Sequence, residues 1–381
     1  MKVSIIGHSY LAEENRKSLT ALAKRVSLEV VSPRNSEGMI FSFDEDAPYI
    51  IGEGWVMKLY RKWHPPFLPH SAFLLRSGDL GFKALKPDII HIEYDPFTPL
   101  FLQTFFTARR FAPRAAIVCM IRQNTFTQRN VLIDGLKTAV ARMLVPRVDR
   151  FIAVNSGVAA IYRERFGASP KQITHCTQIG IDTALFSPGT IAGSSLERGD
   201  GLIGYCGRFV AYKGVLDLIQ AVKLLRDTTG KDFRLILLGK GPMREELLTI
   251  AREHRWLTIM DSVPHAAVSA FLAALDIFVM PSHVLEFHEE HDAHALLEAM
   301  ASGIPCVGAA SGAIVDVLSG AGLIVPPQDK EALAGAIRHL ADNPALRQEY
   351  GYLGRERVLN SYSIEAVADT YFRIYQDIIL K

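Results

Sequence analysis

Two doubly wound α/β domains, each a parallel sheet covered by helices on both faces, are what this sequence predicts. Three observations carry that expectation. Short apolar runs alternate with amphipathic segments from end to end, which is strand, helix, strand repeated. The 381 residues suffice for two or three domains. The stretch Ser187 to Gly201 is rich in Pro, Gly and Ser, lacks apolar periodicity, and separates two such series. The expected organisation is a Rossmann-like domain over 1–186, a linker over 187–200 and a second Rossmann-like domain over 201–360. A closing helix over 361–381 has the option of crossing back to the first domain. Ligands of open parallel sheets bind beyond the carboxyl ends of the strands, so two such domains would face each other across a cleft.

In the first half the apolar runs place strands at Val3–Ile6, Leu28–Val31, Asp88–Ile92, Ala116–Met120 and Phe151–Val154. In the second they fall at Leu202–Cys206, Arg234–Leu238, Leu257–Met260, Ile277–Met280, Pro305–Gly308 and Leu323–Val325. Val215–Arg226 reads as a helix because Leu218, Ile219, Val222 and Leu225 share one face at its period. Ile364–Leu380 carries the same signal. Residues 40–85, with WVMKLYRKWHPPFLPH at their centre, mix aromatic, basic and proline residues without a clean period. A surface loop or lid is the expectation there, with an element touching membrane or acceptor as the alternative.

Composition narrows the class. A hydrophobic fraction of 49% excludes extensive disorder. The opening MKVSIIGH is a short buried strand rather than a secretory signal. No apolar run approaches the ~20 residues of a spanning helix. The expected location is cytoplasmic, with peripheral attachment to the inner face of a membrane left open. Cys119, Cys176, Cys206 and Cys306 have no close pairing and read as buried small hydrophobes. Charge is asymmetric. Residues 1–190 hold 24 Lys+Arg against 16 Asp+Glu, a balance of +8, and the remainder holds 18 against 24, a balance of −6. No nucleic-acid motif accompanies the basic half, so an anionic membrane surface or a phosphate-bearing acceptor fits it better.

The chemistry concentrates in MPSHVLEFHEEHDAHALLEAMASGIPCV, Met280 to Val307. A strand ends, a polar loop follows, and a helix runs from about Ala293 to Ser302 with Asp292 placed to cap it. The first N–H groups of such a helix, at Ala293, His294 and Ala295, form a site for a phosphate or diphosphate. Glu290 precedes the helix and Glu298 lies more than one turn inside it, so two carboxylates can meet different parts of one extended ligand. A solvated face is the plainer reading of two such glutamates. In CGRFVAYKG a buried strand ends at Gly207, Arg208 follows, and Lys213 precedes the next helix. Both cations emerge at the same end of the same sheet, Arg as a fork for phosphate oxygens and Lys as a compact charge. Gly239, Gly241 and Pro242 form a tight turn that lacks the third glycine of a dinucleotide fingerprint. His288, His291 and His294 are spaced by three, but the loop breaks the helix there, and no metal is expected.

These residues resemble glycosyltransferase family 4, which has the GT-B fold. The resemblance rests on Glu290 and Glu298 with seven residues between and AMASGIPCV after them, on CGRFVAYKGVLDLI, LGKGPMREEL and VPHAAVSAFLAALDIFVMPS, and on GIDTALFSPG between the domains. It covers most of residues 173–325 in order, and the first half only in its strand pattern. The resemblance implies a retaining enzyme, without metal or other cofactor, that moves a sugar from a nucleotide-diphosphate sugar to an acceptor hydroxyl. It implies that Glu298 binds the donor ribose, that Glu290 contacts the donor sugar, and that Arg208 and Lys213 neutralise the diphosphate. It places the base near Val263 and backbone N–H donors at Ala293 to Ala295. The acceptor is a carbohydrate, a lipid-linked intermediate or a small molecule.

Two stretches depart from the pattern. HDAH follows the first glutamate where many relatives carry a small pair that often includes glycine. IRQNTF, with Gln123 and Asn124, stands where many carry a histidine in the first domain, so no catalytic base is named. Gly7, Glu13 and Asn15 follow the first strand and Glu93 ends another, which makes them candidates for the acceptor side. First-turn helix residues and a capped helix are the plainer readings. A sugar-nucleotide epimerase of the same architecture and a non-catalytic nucleotide-sugar-binding protein stay open as alternatives.

Overall fold

The structure, a computed structural model, describes residues 1–34, 47–63, 73–123, 131–189, 199–286 and 289–380. It forms two compact units, Met1–Gly180 with Ile364–Lys381, and Ile181–Ser363.

The first unit is built on strands β1 (Lys2–Ile6), β2 (Ser27–Pro33), β3 (Tyr49–Gly52) and β4 (Trp55–Tyr60). A small pair follows, β5 (Lys62–Trp63) and β6 (Leu74–Leu75), and then β7 (Ile89–Ile92), β8 (Ala116–Ile121), β9 (Arg150–Ala153) and β10 (Ile173–His175). The main sheet runs β10-β9-β8-β7-β1-β2-β4-β3, parallel throughout except for β3 against β4. Helices α1 (Arg16–Ala23), α2 (Phe82–Leu85), α3 (Pro99–Phe111), α4 (Val131–Leu144) and α5 (Ser156–Glu164) link the strands. Alternation explains why the strands read as unbroken apolar runs. Val3 and Ile5 face one core and Ile6 the other, so neither face meets water.

The stretch expected to be a surface loop or lid is corrected in part by this sheet. Trp55, Met57 and Leu59 point into the core while Val56 and Lys58 alternate outward, the period of a half-buried strand. The aromatic and basic residues around them obscured that period. Residues 64–72 lie outside the described residues.

The closing helix Ile364–Ile379 packs on α1, inserting Val367, Tyr371, Ile374 and Tyr375 into the core that Leu19 and Leu22 share. Its Tyr375 hydroxyl shares a 2.8 Å hydrogen bond with Nδ1 of His91 on β7, and its Tyr371 hydroxyl donates to the carbonyl of Gln178 at 3.2 Å.

The second unit holds β11 (Gly201–Cys206), β12 (Phe233–Leu238), β13 (Leu257–Met260), β14 (Ile277–Met280), β15 (Cys306–Ala309) and β16 (Leu323–Val325). Its helices are α6 (Val215–Thr229), α7 (Arg244–Glu253), α8 (His265–Ala273), α9 (His294–Ala301), α10 (Ala313–Leu318), α11 (Lys330–Asp342) and α12 (Pro344–Ser361). The sheet is wholly parallel with order β13-β12-β11-β14-β15-β16, the doubly wound order in which the winding reverses between the first and fourth strands. All four residues of the expected α6 stripe are buried.

The boundary between the units falls at Gly180/Ile181, earlier than residue 186. Packing sets it there. Ile181 and Phe186 are buried in the second unit's core, Ile181 N–H donates to Tyr362 at 2.8 Å, and Arg355 donates to the Phe186 carbonyl at 3.0 Å. Residues 190–198 of the expected linker lie outside the described residues.

Burial holds His91 neutral, with its pKa lowered from 6.5 to about 3. Because the folded value lies below the unfolded one, this group's contribution to stability is intact above pH 6.5 and is lost as pH falls toward 3. His91→Gln should therefore flatten the decline in the urea midpoint between pH 6.5 and 4, measured by circular dichroism. An unchanged slope would assign the acid sensitivity elsewhere.

Candidate functional site

In the second unit the loops after β11 and β14 leave adjacent strands in opposite directions, which opens a crevice at their carboxyl ends. Glycines let the surrounding loops close up. A Cβ on Gly239 would meet the Gly207 carbonyl at 1.9 Å, and one on Gly241 would meet the Phe209 carbonyl at 2.3 Å. The turn Ala211–Lys213 ends at Gly214, whose φ of +70° is left-handed and whose Cβ would meet the Pro281 carbonyl at 2.0 Å. That approach presses the loop after β11 onto the loop after β14.

Lys213 and Glu290 meet as a result. Lys213 Nζ donates to Glu290 Oε2, and both side chains are largely buried. Ser282 Oγ donates to the same oxygen at 2.8 Å. The Glu290 N–H donates to Ser311 Oγ at 3.2 Å, and its carbonyl accepts from Ala313 N–H at 2.9 Å. Ser311 in turn donates to the His283 carbonyl at 2.9 Å, while His283 Nε2 lies 2.5 Å from Asp217 Oδ2. Arg208 is not part of this cluster. Its Nη2 donates to Tyr212 Oη at 2.6 Å and its guanidinium lies 5.8 Å from the centre of that ring, on an exposed face.

Glu298 sits on α9, buried, with Oε1 at 2.7 Å from His265 Nε2. Cys206, at the end of β11, has its thiol pushed up to about 12, chiefly by burial and then by the Glu298 charge beside it. Val263 packs against the same core just before α8. The structure therefore brings His265 to Glu298, with Val263 two residues before His265, and sets Glu290 with Lys213 before the start of α9.

The cap of α9 differs from expectation. Asp292 does not cap the helix. Ala293 takes the N-cap position in a left-handed conformation, φ +49°, without a side-chain hydrogen bond. The chain bends into the helix through Ala293, so Asp292 stands one position too early. An alanine at the N-cap has no side-chain oxygen to give to the first-turn N–H groups, those of His294 and Ala295 among them. A helix start of that kind suits an anion.

The first unit has its own reversal, between β1 and β7. There Gly7 and Glu93 meet, and a Cβ on Gly7 would lie 2.0 Å from Glu93 Oε2. Glu93 is buried, accepting from Tyr10 Oη at 2.6 Å and from Gln178 Nε2 at 2.7 Å. Arg122 donates to Gln178 Oε1 at 2.6 Å. Asp95 accepts from Tyr162 Oη at 2.8 Å, and Thr98 caps α3. Gln123 is half-buried next to Arg122. Glu13 is exposed on a short turn, and Asn15 Nδ2 is spent on the Ser9 carbonyl at 2.7 Å. Asn124 lies outside the described residues, as does His288. Among the described residues no three metal-ligating side chains converge. His8, on this edge, shares a 2.8 Å hydrogen bond with Tyr94, and its pKa falls to about 4, through burial first and then the charges of Arg122 and Lys62.

Sequence reasoning did not find Ser282, Ser311, His265, Tyr10 or Gln178. The signal for Ser282 was its place directly after a strand end, in the first turn of the loop that carries Glu290. The other four are brought in by tertiary contacts that no local pattern encodes.

Residues 191–357 match the model of the family described as Glycosyl transferases group 1. The glycogen synthase of Mycobacterium tuberculosis is 31% identical over 242 residues, a match covering 62% of this chain and 56% of that protein. The chain thus spans little more than half the length of that relative. Among solved structures, sucrose-phosphate synthase from Thermosynechococcus elongatus superposes with a TM-score of 0.70 at 18% identity, covering 100% of this chain and 99% of that one. The HepE protein of Anabaena, solved with UDP and glucose, gives 0.67 at 15% identity and covers 99% of each. At these identities the likeness shows the fold, two parallel α/β units of the GT-B class. The family match falls within the second unit.

Gly312 offers a direct test of how Glu290 is held. Its φ is +47°, and a Cβ there would meet the Glu290 carbonyl at 2.1 Å. Gly312→Ala should destabilise the protein by about 2 kcal/mol, read as a thermal midpoint lower by roughly 4–8 °C for a domain of this size. A midpoint unchanged by calorimetry would show that this contact does not fix the loop.

Proposed function

We propose that the second unit is a group 1 glycosyltransferase domain of the family 4 kind, and that the chain moves a sugar from a nucleotide-diphosphate sugar to an acceptor hydroxyl with retention and without a metal. One observation carries the reading. At the reversal point of the second sheet, a buried Lys213–Glu290 pair and a buried Glu298 flank a helix start whose N-cap, Ala293, carries no side-chain oxygen. That arrangement suits an extended ligand with an anionic middle and hydroxyl-bearing ends.

The chemistry follows from the parts. The first-turn N–H groups of α9 donate to the diphosphate, and Arg208 swings from Tyr212 to join them. Glu298 receives the ribose hydroxyls, with His265 fixing its orientation, and the base lies by Val263. Breaking the glycosidic bond puts negative charge on the departing phosphate oxygen. Lys213 and Arg208 stabilise that charge as it develops. Lys213 is engaged by Glu290 in the unliganded protein, so a diphosphate that draws its ammonium away frees the Glu290 carboxylate to accept from sugar hydroxyls. The departing phosphate itself is the base for the acceptor hydroxyl, consistent with the absence of a named base. The family match and the neighbour solved with UDP and glucose support a nucleotide donor. The acceptor belongs to glycan, polysaccharide or glycolipid synthesis rather than to nucleic acid. The basic first unit fits a lipid-linked acceptor at an anionic membrane, reached from the cytoplasm. No helix among the described residues is long and apolar enough to cross a membrane.

Lys213→Ala and Arg208→Ala should each lower turnover by about 10²-fold or more while the fold is kept. Normal rates in both would remove the assignment. A thermal-shift panel of nucleotide sugars should show one donor that raises the midpoint, since a ligand bound only by the folded state stabilises it. Product analysis with that donor alone separates transfer from epimerisation. A new sugar nucleotide appearing without acceptor would replace this reading with the epimerase.

A further inference from the structure

Helix α4 carries an apolar stripe on its outer side as well as on the side it buries. Its outer stripe is Leu132, Leu136, Ala139 and Met143, spaced by four, three and four residues, which at 100° per residue keeps them within one narrow sector. Leu132 is 85% exposed, Leu136 66% and Met143 50%, with Ile133 beside them at 51%. The opposite face, Ala141 and Leu144, is buried in the core of the first unit. The helix is therefore apolar on both sides, and among the described residues of its own unit the outer stripe stays exposed.

Charge gathers in the same stretch of sequence. Residues 100–165 hold 11 Lys+Arg against 3 Asp+Glu, a balance of +8, which equals the whole surplus of residues 1–190. The remaining residues of that half are balanced at 13 against 13. Several of these arginines are held at the helix by hydrogen bonds. Arg142 Nε donates to the Arg165 carbonyl at 2.9 Å, Arg165 donates to Thr138 Oγ1 at 3.0 Å, and Arg147 donates to the Met143 carbonyl. Arg109, at the end of α3, donates to the Arg147 carbonyl at 3.1 Å.

We infer that α4 is the element by which the first unit lies on an anionic lipid surface, its leucines entering the boundary between headgroups and acyl chains and its arginines facing lipid phosphates. An apolar stripe with a basic rim is the pattern of a helix that lies in the interface plane. A second copy of the chain fits less well, because a symmetric contact would set arginines against arginines. The inference deepens the membrane part of the proposed function but rests on surface chemistry alone, so it stands or falls independently of sugar transfer.

Flotation of the full chain with vesicles tests it, using phosphatidylcholine alone and phosphatidylcholine with phosphatidylglycerol. The expected result is flotation with the anionic vesicles at low salt, weaker at high salt, and slight on neutral ones. Leu132→Asp with Leu136→Asp should weaken it by about tenfold or more, with an unchanged circular dichroism spectrum and an unchanged thermal shift with the nucleotide-sugar donor. Absence of flotation at low salt overturns the inference. So does a dimer in sedimentation that this double variant dissolves, which would give the stripe to a second copy. Flotation that persists in the double variant while Arg142→Glu abolishes it would overturn the role of the leucines.

Discussion

The geometry of the second unit depends on a constraint of parallel sheets. A strand order that reverses between its first and fourth members sends the following loops apart and leaves a gap at their carboxyl ends. Lys213 and Glu290 are held on opposite lips of that gap, and the contact of Gly214 with the Pro281 carbonyl sets the distance between the lips. Any side chain at Gly214 would force the loops apart, and the ion pair with them. Backbone contact, rather than the attraction between the charges, locates the site.

A buried ion pair is seldom a source of stability, because taking both charges out of water costs as much as their attraction returns. Here the carboxylate is further served by Ser282, and its backbone by Ser311 and Ala313. So much polar support around one glutamate makes sense as preorganisation. The group is held in place before a ligand arrives, and the cation next to it can be exchanged for another partner without rebuilding the loop. The first unit repeats the arrangement: Glu93 lies over Gly7 and is held by Tyr10 and Gln178, and Arg122 donates to Gln178.

Much of this could be read from the sequence because strands buried on both faces announce themselves as apolar runs, and each of the eleven expected ones overlaps a strand of the structure. Strand order could not be read, since nothing local says that β14 lies beside β11. Trp55–Tyr60 was missed because Lys58 interrupts its apolar run on the outward side, although the inward residues keep the period. Glu290, Glu298 and Lys213 were legible as types at a spacing. Ser311 and His265, which hold the two glutamates, were not, because only folding brings them near, while Ser282 gave no more signal than its place just after a strand end. The expected Asp292 cap failed on a single backbone angle, at Ala293, which no propensity scale anticipates for alanine.

The closing helix has a consequence for biogenesis. Tyr375 completes the hydrogen bond to His91 across 284 positions of chain, and Tyr371, Ile374 and Val367 cover the face of the sheet that contains β1. The half of the molecule that leaves the ribosome first is thus the last to be sealed. Until that helix emerges, its apolar surface waits for a segment not yet made, while the intervening unit has all of its own strands in hand and can fold without delay.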